Sequence, residues 1–342
     1  MLRPKSNQLV ALIPAFKPRY LESLFFSLNA QTFKQFDVVV SDDSRDGSVT
    51  TKLEELDKRG FFEDLEVDVV PGPRIDASFN HHQLDQMCSP KYQFIHFLND
   101  DDPLLPTFYE QHLAAHDSGD YSVSVSQRWF MDCDDRIYGR PTYPGYINTD
   151  DKQFTKLSGP DVVRSTVIRG YNWLGELGNM LFKGTGSALM PRPPETTNEM
   201  NFFGLPDLGT CLQRATDKPI VFISSFHSCF RVHSEQTSQN FPIVPLSKVK
   251  HVAWAIYAIH AWRSGWLDDQ EYLNALASAK LHILEGALYD SELIELSSLI
   301  SQMETIPNDD GSKLFQWWIN YIAEAPSLRE FIERINLELM GR

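Results

Sequence analysis

Three consecutive carboxylates, Asp100-Asp101-Asp102, follow directly on the apolar run Phe94-Ile95-His96-Phe97-Leu98 and on Asn99, and Pro103 and Pro106 come next. An apolar run of this length reads as a buried strand. Adjacent carboxylates at its end repel one another unless a cation or strong hydrogen-bond donors neutralise them. Hard oxygen donors of this kind suit Mg²⁺ or Mn²⁺, which take a few protein carboxylates and leave positions for phosphate oxygens. The plainer alternative is a solvated acidic turn that caps the following helix. Two further strand ends carry residues fit for chemistry, Pro14-Ala15-Phe16 and Asp42-Asp43. Later in the chain, Asp207 suits either a helix N-cap or a site carboxylate, and His233 is a lone imidazole of the sort that is more often structural than a ligand. Trp173 and Glu176 sit in a glycine- and aromatic-rich stretch, a composition found both in packed cores and in substrate pockets.

The elements needed to position these groups alternate. The pattern predicts strands over 8–13, 36–40, 65–70, 92–98, 121–126, 186–190 and 219–224. Helical spacing falls between them at 19–31, 51–59, 77–88, 160–171 and near 207–214, with Pro14 expected to break the first strand. The stretch 131–159 reads as an irregular excursion. Such alternation indicates βαβ units, a mainly parallel doubly wound sheet and ligands beyond the carboxyl ends of its strands. Three strand ends with functional residues therefore point to one face of one sheet.

The last hundred residues change character. Helices are expected over 248–263, 269–288, 291–303, 312–324 and 328–339, with capping-box spacing at Asp268/Glu271 and Ser327/Glu330. This divides the chain into a sheet domain, 1–240, and an all-α region, 245–342, whose helices offer faces for a homo-oligomer.

Composition excludes several classes. At 342 residues with 42% hydrophobic content the chain can bury a sizeable core. A net charge of −15 argues against nucleic acid as a partner, since that usually demands a basic face. No apolar stretch approaches the ~18 residues needed to cross a bilayer. Four scattered cysteines without a CxxC pair fit reduced thiols. Together these read as a cytoplasmic protein, with peripheral placement at the inner membrane face left open. No GxGxxG follows the first strand and no GxxxxGKS/T occurs, which disfavours nicotinamide and P-loop chemistry.

The ordered set Ile13-Pro14-Ala15-Phe16, Gln31-Thr32-Phe33, Val40-Ser41-Asp42-Asp43-Ser44, Asn80, and Phe97-Leu98-Asn99-Asp100-Asp101-Asp102 resembles the family 2 inverting glycosyltransferases of GT-A fold. The resemblance spans roughly 9–238. It implies a GT-A sheet, a nucleotide-diphosphate sugar donor (UDP or dTDP favoured), a bound Mn²⁺ or Mg²⁺, and a glycan, lipid-linked or small-molecule acceptor. Pro14, Ala15 and Phe16 match the turn against the nucleobase, and Asp43, with Asp42, matches the carboxylate that receives the base N–H. Arg74 and Asn80 fall where the nucleotide is bordered. Asp100 and Asp101 match the DXD region, Asp101 for the metal and Asp100 near the ribose or a metal-bound water. The sequence departs from D-x-D by placing Asn99 where the first Asp often stands. His233 matches a late histidine that adds a metal ligand. Asp207 matches the catalytic base, although Pro206 precedes it where Glu is usual; Trp173 and Glu176 are the acceptor candidates. The implied reaction is transfer to an acceptor hydroxyl in cell-surface polysaccharide or other glycoconjugate biosynthesis. A catalytically silent nucleotide-sugar-binding scaffold is the alternative. A sugar nucleotidyltransferase fits less well, because Pro14-Ala15-Phe16-Lys17-Pro18 is not a glycine-rich basic loop.

Overall fold

The structure is a computed structural model that describes residues 8–74, 77–147, 152–190, 205–234, 236, 247–288, 292–303, 311–314, 316, 317 and 320. By packing, the chain forms two compact units. The first comprises Met1–Ser158, Trp173–Pro191 and Arg214–His233; the second comprises Gly159–Asn172, Arg192–Gln213 and Ser234–Arg342.

Unit 1 is a sheet with helices. Its strands are β1 (Leu9–Ala15), β2 (Asp37–Asp42), β3 (Glu66–Pro71), β4 (Phe94–Phe97), β5 (Val123–Met131), β6 (Ile137–Gly139), β7 (Phe154–Leu157), β8 (Met180–Lys183) and β9 (Ile220–Arg231). They lie in the order β3-β2-β1-β4-β8-β5-β9-β7, with β6 paired to β5. The half that begins at β3 is parallel through β4, and β8 then runs antiparallel between β4 and β5. This is the mixed, mainly parallel sheet with flanking helices that the sequence predicts.

The helices follow from apolar spacing. In α1 (Leu21–Asn29) the positions read as the apolar stripe, Leu21, Leu24, Phe25 and Leu28, are all buried. They pack with Ala11, Ile13, Val38 and Val40 of β1 and β2 in one core. Both strands are buried along their whole length, as parallel strands covered on two faces must be. The helices α2 (Ser48–Lys58), α3 (Ala77–Cys88) and α4 (Phe108–Asp117) complete the crossovers. Gly47, at φ 72°, starts α2 in a backbone conformation that costs a side-chain-bearing residue dearly.

Four expectations change. Pro14 does not break β1 but stands opposite Ser41 in the β1–β2 ladder. Pairing of β1 with β4 ends at Leu12 and Phe97, so at Pro14 one side of the strand has no ladder left to disrupt. The strand expected over 186–190 lies earlier, as β8, where residues 180–183 find pairing partners in β4 and β5, while Gly186, at φ 78°, lies beyond it. The excursion over 131–159 contains β6 and β7. Strands β5 and β9 run longer than their sequence patterns, pairing in parallel with register shifts near Gln127.

Unit 2 holds α5 (Gly159–Thr166), α7 (Ser247–Arg263), α8 (Asp269–Ala287) and α9 (Glu292–Met303), together with the first two turns of α6 (Pro206–Asp217). The capping box expected at the start of α8 is present, with Asp268 and Glu271 exchanging side-chain and backbone bonds. Ion pairing of Arg164 with Glu271 at 2.7 Å and the Ser278 hydroxyl bond to the Ile168 carbonyl at 2.6 Å fasten α5 and the turn after it to α8. The expected helix over 328–339 and its Ser327/Glu330 cap lie outside the described residues.

Candidate active site

The site grows from one peptide bond at the end of β1. The Ala15 carbonyl accepts from the Asp43 N–H at 2.8 Å, and the N–H of the same peptide, on Phe16, donates to Asp100 Oδ2 at 2.8 Å. Lys17 N–H adds a second bond to that oxygen at 3.1 Å. The three functional strand ends are thus joined directly, as their common position at one edge of a parallel sheet requires.

The two carboxylates at the end of β2 have different tasks. Asp42 is consumed by its own surroundings. Ser44 donates to Oδ1 through its N–H at 2.9 Å and its hydroxyl at 2.5 Å, and Thr50 donates to Oδ2 through N–H at 3.0 Å and through its hydroxyl. Burial pushes the Asp42 carboxyl upward, but these four donors prevail and hold it below the ordinary carboxylate range. These bonds anchor the start of α2 to the end of β2. Asp43 is also buried, and its Oδ1 accepts the Arg74 N–H. Arg74 adopts φ 57°, and it is its backbone that meets Asp43. Gly72 lies so close that a Cβ there would come within 2.8 Å of the Asp43 Cα. Phe16, at the end of β1, is 52% exposed, an unusual setting for a large aromatic ring. Asn80, on α3, is buried, and its Oδ1 meets no donor among the described residues.

At the end of β4 the three adjacent carboxylates diverge. Asp100 holds the β1 loop through the Phe16 and Lys17 amides. Asp102 turns inward, where Oδ1 accepts the Arg231 N–H at 2.8 Å and Oδ2 accepts from Asn99 Nδ2 at 2.9 Å. Asn99 therefore serves Asp102, which explains its presence where a carboxylate would add a fourth charge to the cluster. Asp101 faces His233, with its Oδ2 2.9 Å from the ring Nε2. Burial, and next the neighbouring Asp100 charge, push the Asp101 carboxyl up to about 7. Burial also raises Asp100 and, together with Asp101, raises Asp102 well above the ordinary range.

Asp101 and His233 are the pair that could hold a cation. A carboxylate oxygen and an imidazole nitrogen converge on one point, and hard divalent ions in diphosphate sites commonly take only one or two protein ligands. Among the described residues no cluster of three or more His, Cys, Asp or Glu side chains is arranged to hold a metal. The donor set therefore fits an ion completed by substrate oxygens and not one caged by protein alone.

Sequence reasoning missed the residue that joins these parts. Arg231 is wholly buried, and its guanidinium reaches the carbonyls of Asp101 and Asp132 at 2.8 and 3.0 Å and the Asp135 carboxylate at 2.6 Å. It also lies 4.3 Å from the centre of the Tyr20 ring, which packs at 5.2 Å against the His233 ring. The available signal was an arginine ending a strand just ahead of the late histidine, in a chain where buried cations need partners.

Of the acceptor candidates, Trp173 is fully buried against Tyr143 and Phe222, so its ring has no surface to offer a substrate and its role is packing. Glu176 keeps a quarter of its side chain exposed and pairs with Arg128 Nε at 2.6 Å. Asp207 belongs to unit 2, in the first turn of α6, half-buried, with its charge acting on Cys211 and Tyr257.

No protein-family model matches the chain, and no curated protein does. Solved structures resemble it loosely. S. aureus TarS matches 95% of this chain at 15% identity and TM-score 0.47, and the chain spans 55% of that protein's length. TarS 1-349 in complex with UDP-GlcNAc matches 98% of this chain and 92% of its own at 14% identity and TM-score 0.48. The mannosyltransferase PcManGT from Pyrobaculum calidifontis, in complex with GDP-Man and Mn²⁺, matches 97% of this chain and 87% of its own at 12% identity and TM-score 0.45. At this level of likeness the function of the chain rests on its own geometry.

Proposed function

We propose that this chain is a metal-dependent inverting glycosyltransferase that moves a sugar from a nucleotide-diphosphate donor to an acceptor hydroxyl. One observation carries the reading: a single peptide, Ala15–Phe16, binds the Asp43 amide on one side and the Asp100 carboxylate on the other. It fastens a buried carboxylate suited to a base N–H next to a carboxylate cluster suited to a diphosphate and its cation.

Each residue then has a task. Pro14, Ala15 and the exposed Phe16 ring flank the nucleobase, and Asp43 accepts its N–H. Arg74 and Asn80 border the nucleotide, the latter with an amide oxygen open to a donor. Asp100 fixes the loop through its amide bonds and lies toward the ribose. Asp101 and His233 hold Mn²⁺ or Mg²⁺, for which the Asp101 carboxyl must lose its proton and His233 must present an unprotonated Nε2. A divalent cation bound there supplies Lewis-acid neutralisation of the leaving diphosphate. Asp207 takes the proton of the attacking hydroxyl, and one in-line displacement inverts the anomeric carbon without a covalent enzyme intermediate. Glu176, fixed by Arg128, is left as the acceptor contact. UDP or dTDP sugars are the expected donors, and a growing cell-surface glycan or glycoconjugate the expected acceptor.

A donor screen with UDP-, dTDP- and GDP-sugars, with and without Mn²⁺, tests this by release of nucleoside diphosphate. Metal-stimulated release from one donor class is expected. Binding without release or transfer would favour the silent scaffold, and no binding of any donor would refute both.

A further inference from the structure

We propose that Arg231 is a positioning residue that aims the Asp101–His233 pair from behind, a role that rests on reading the pair as a metal site. It takes hold of the pair at both ends. Its backbone N–H donates to Asp102 Oδ1 at 2.8 Å and its Nε–H donates to the Asp101 carbonyl at 2.8 Å, so the residue after Asp101 and the Asp101 backbone itself are fixed. Two residues further on stands His233, whose ring packs on Tyr20, and Tyr20 in turn lies under the guanidinium at 4.3 Å. The same guanidinium holds the turn between β5 and β6 through the Asp132 carbonyl and the Asp135 carboxylate. Asp135 itself sits at φ 63° and accepts a bond from the Ser23 hydroxyl at 3.3 Å.

The physical case rests on fixed geometry. A planar guanidinium can serve three acceptors in different directions at once, whereas an ammonium is a point donor on a flexible stem. A charge buried this deeply persists only because each of its three nitrogens meets an acceptor. Outer groups that orient metal ligands typically control affinity by 10- to 100-fold. Arg231 touches neither the donor nor the acceptor in this reading; it acts through Asp101 and His233.

The test uses the full chain with Arg231→Lys and Asp135→Gly. Asp135 is largely exposed and at φ 63°, so glycine there keeps the turn while removing one acceptor of the guanidinium. Mn²⁺ binding is read by the electron-paramagnetic signal of the free ion, and the His233 ring by nuclear magnetic resonance of isotope-labelled histidine, assigned with His233→Gln. In Arg231→Lys, Mn²⁺ affinity is expected to fall by about tenfold or more. UDP binding without metal should change by less than about twofold, and the His233 signal should move. Asp135→Gly should move it in the same direction with a smaller loss of affinity. Wild-type Mn²⁺ affinity with an unmoved His233 signal in folded Arg231→Lys would overturn the proposal. If Arg231→Lys fails to fold, an unmoved signal in Asp135→Gly does so. If the wild type binds no Mn²⁺, the metal reading falls, and the His233 signal alone decides whether Arg231 positions the ring.

Discussion

Gly72→Ala tests whether Asp43 is the nucleotide's recognition carboxylate. A Cβ at residue 72 would lie 2.6 Å from Asp43 Oδ1 and 2.8 Å from both the Asp43 Cβ and Cα. A flexible side-chain oxygen could swing aside, but the Cα is backbone and is tied to β1 by the Asp43 N–H bond to Ala15. Reaching ordinary contact near 3.4 Å requires about 0.6 Å of separation (3.4 less 2.8) between the ends of β2 and β3. Overpacking of this kind costs about 1–3 kcal/mol. Where the displacement is borne by Asp43, that energy corresponds to roughly 5- to 150-fold in nucleotide affinity. Calorimetry with UDP, dTDP and GDP, beside thermal melts, measures both shares. Gly145→Ala is the control, since a methyl there meets nothing within 4 Å and Gly145 is not at positive φ. If Gly72→Ala lowered the melting temperature yet bound every nucleoside diphosphate as the wild type does, Asp43 would have no part in recognition.

Three other expectations follow from the same geometry. Asp101→Asn should abolish Mn²⁺-dependent donor turnover while leaving metal-free nucleotide binding within about twofold, because the base end of the site is held by Ala15, Phe16 and Asp100; unchanged turnover would reject the metal assignment. Asp207→Asn should bind donor normally and lose transfer by about 10²-fold or more, and transfer at the normal rate would remove Asp207 as the base. The buried histidines should make the fold acid-labile. Burial pushes His96 down to about 3, His116 and His227 down to about 4, and His112 well below its ordinary range, so each is neutral when folded. Their contribution is complete above the unfolded value near 6.5 and is lost as pH falls toward those folded values. At pH 5 each costs about 2 kcal/mol, while the raised Asp100, Asp101 and Asp102 carboxyls bind protons over the same range and offset part of that loss. Ring signals of isotope-labelled histidine followed through a pH titration of the folded chain measure it, and titration of these four imidazoles near 6.5 would refute the burial argument.

The sequence by itself determined the alternation of strands and helices in the parallel half, the apolar face of α1 and the acidic strand ends. Those features rest on local periodicity and on residue types at the ends of runs. It misjudged β8 and shortened β5 and β9, because there the pairing partner and not the local pattern decides what is extended: β8 is a four-residue strand held between β4 and β5. Only the tertiary structure could divide the labour among Asp100, Asp101 and Asp102. Three neighbouring carboxylates look alike in a sequence, and each takes its role from the donor it meets. Phe16 reaches Asp100 from 84 residues away, while Asp101 and Asp102 meet His233 and Arg231 across 132 and 129 residues. One carboxylate meets amide donors, one an imidazole and one a backbone N–H with an Asn amide, so the surroundings of each are decided by residues that no local reading brings together.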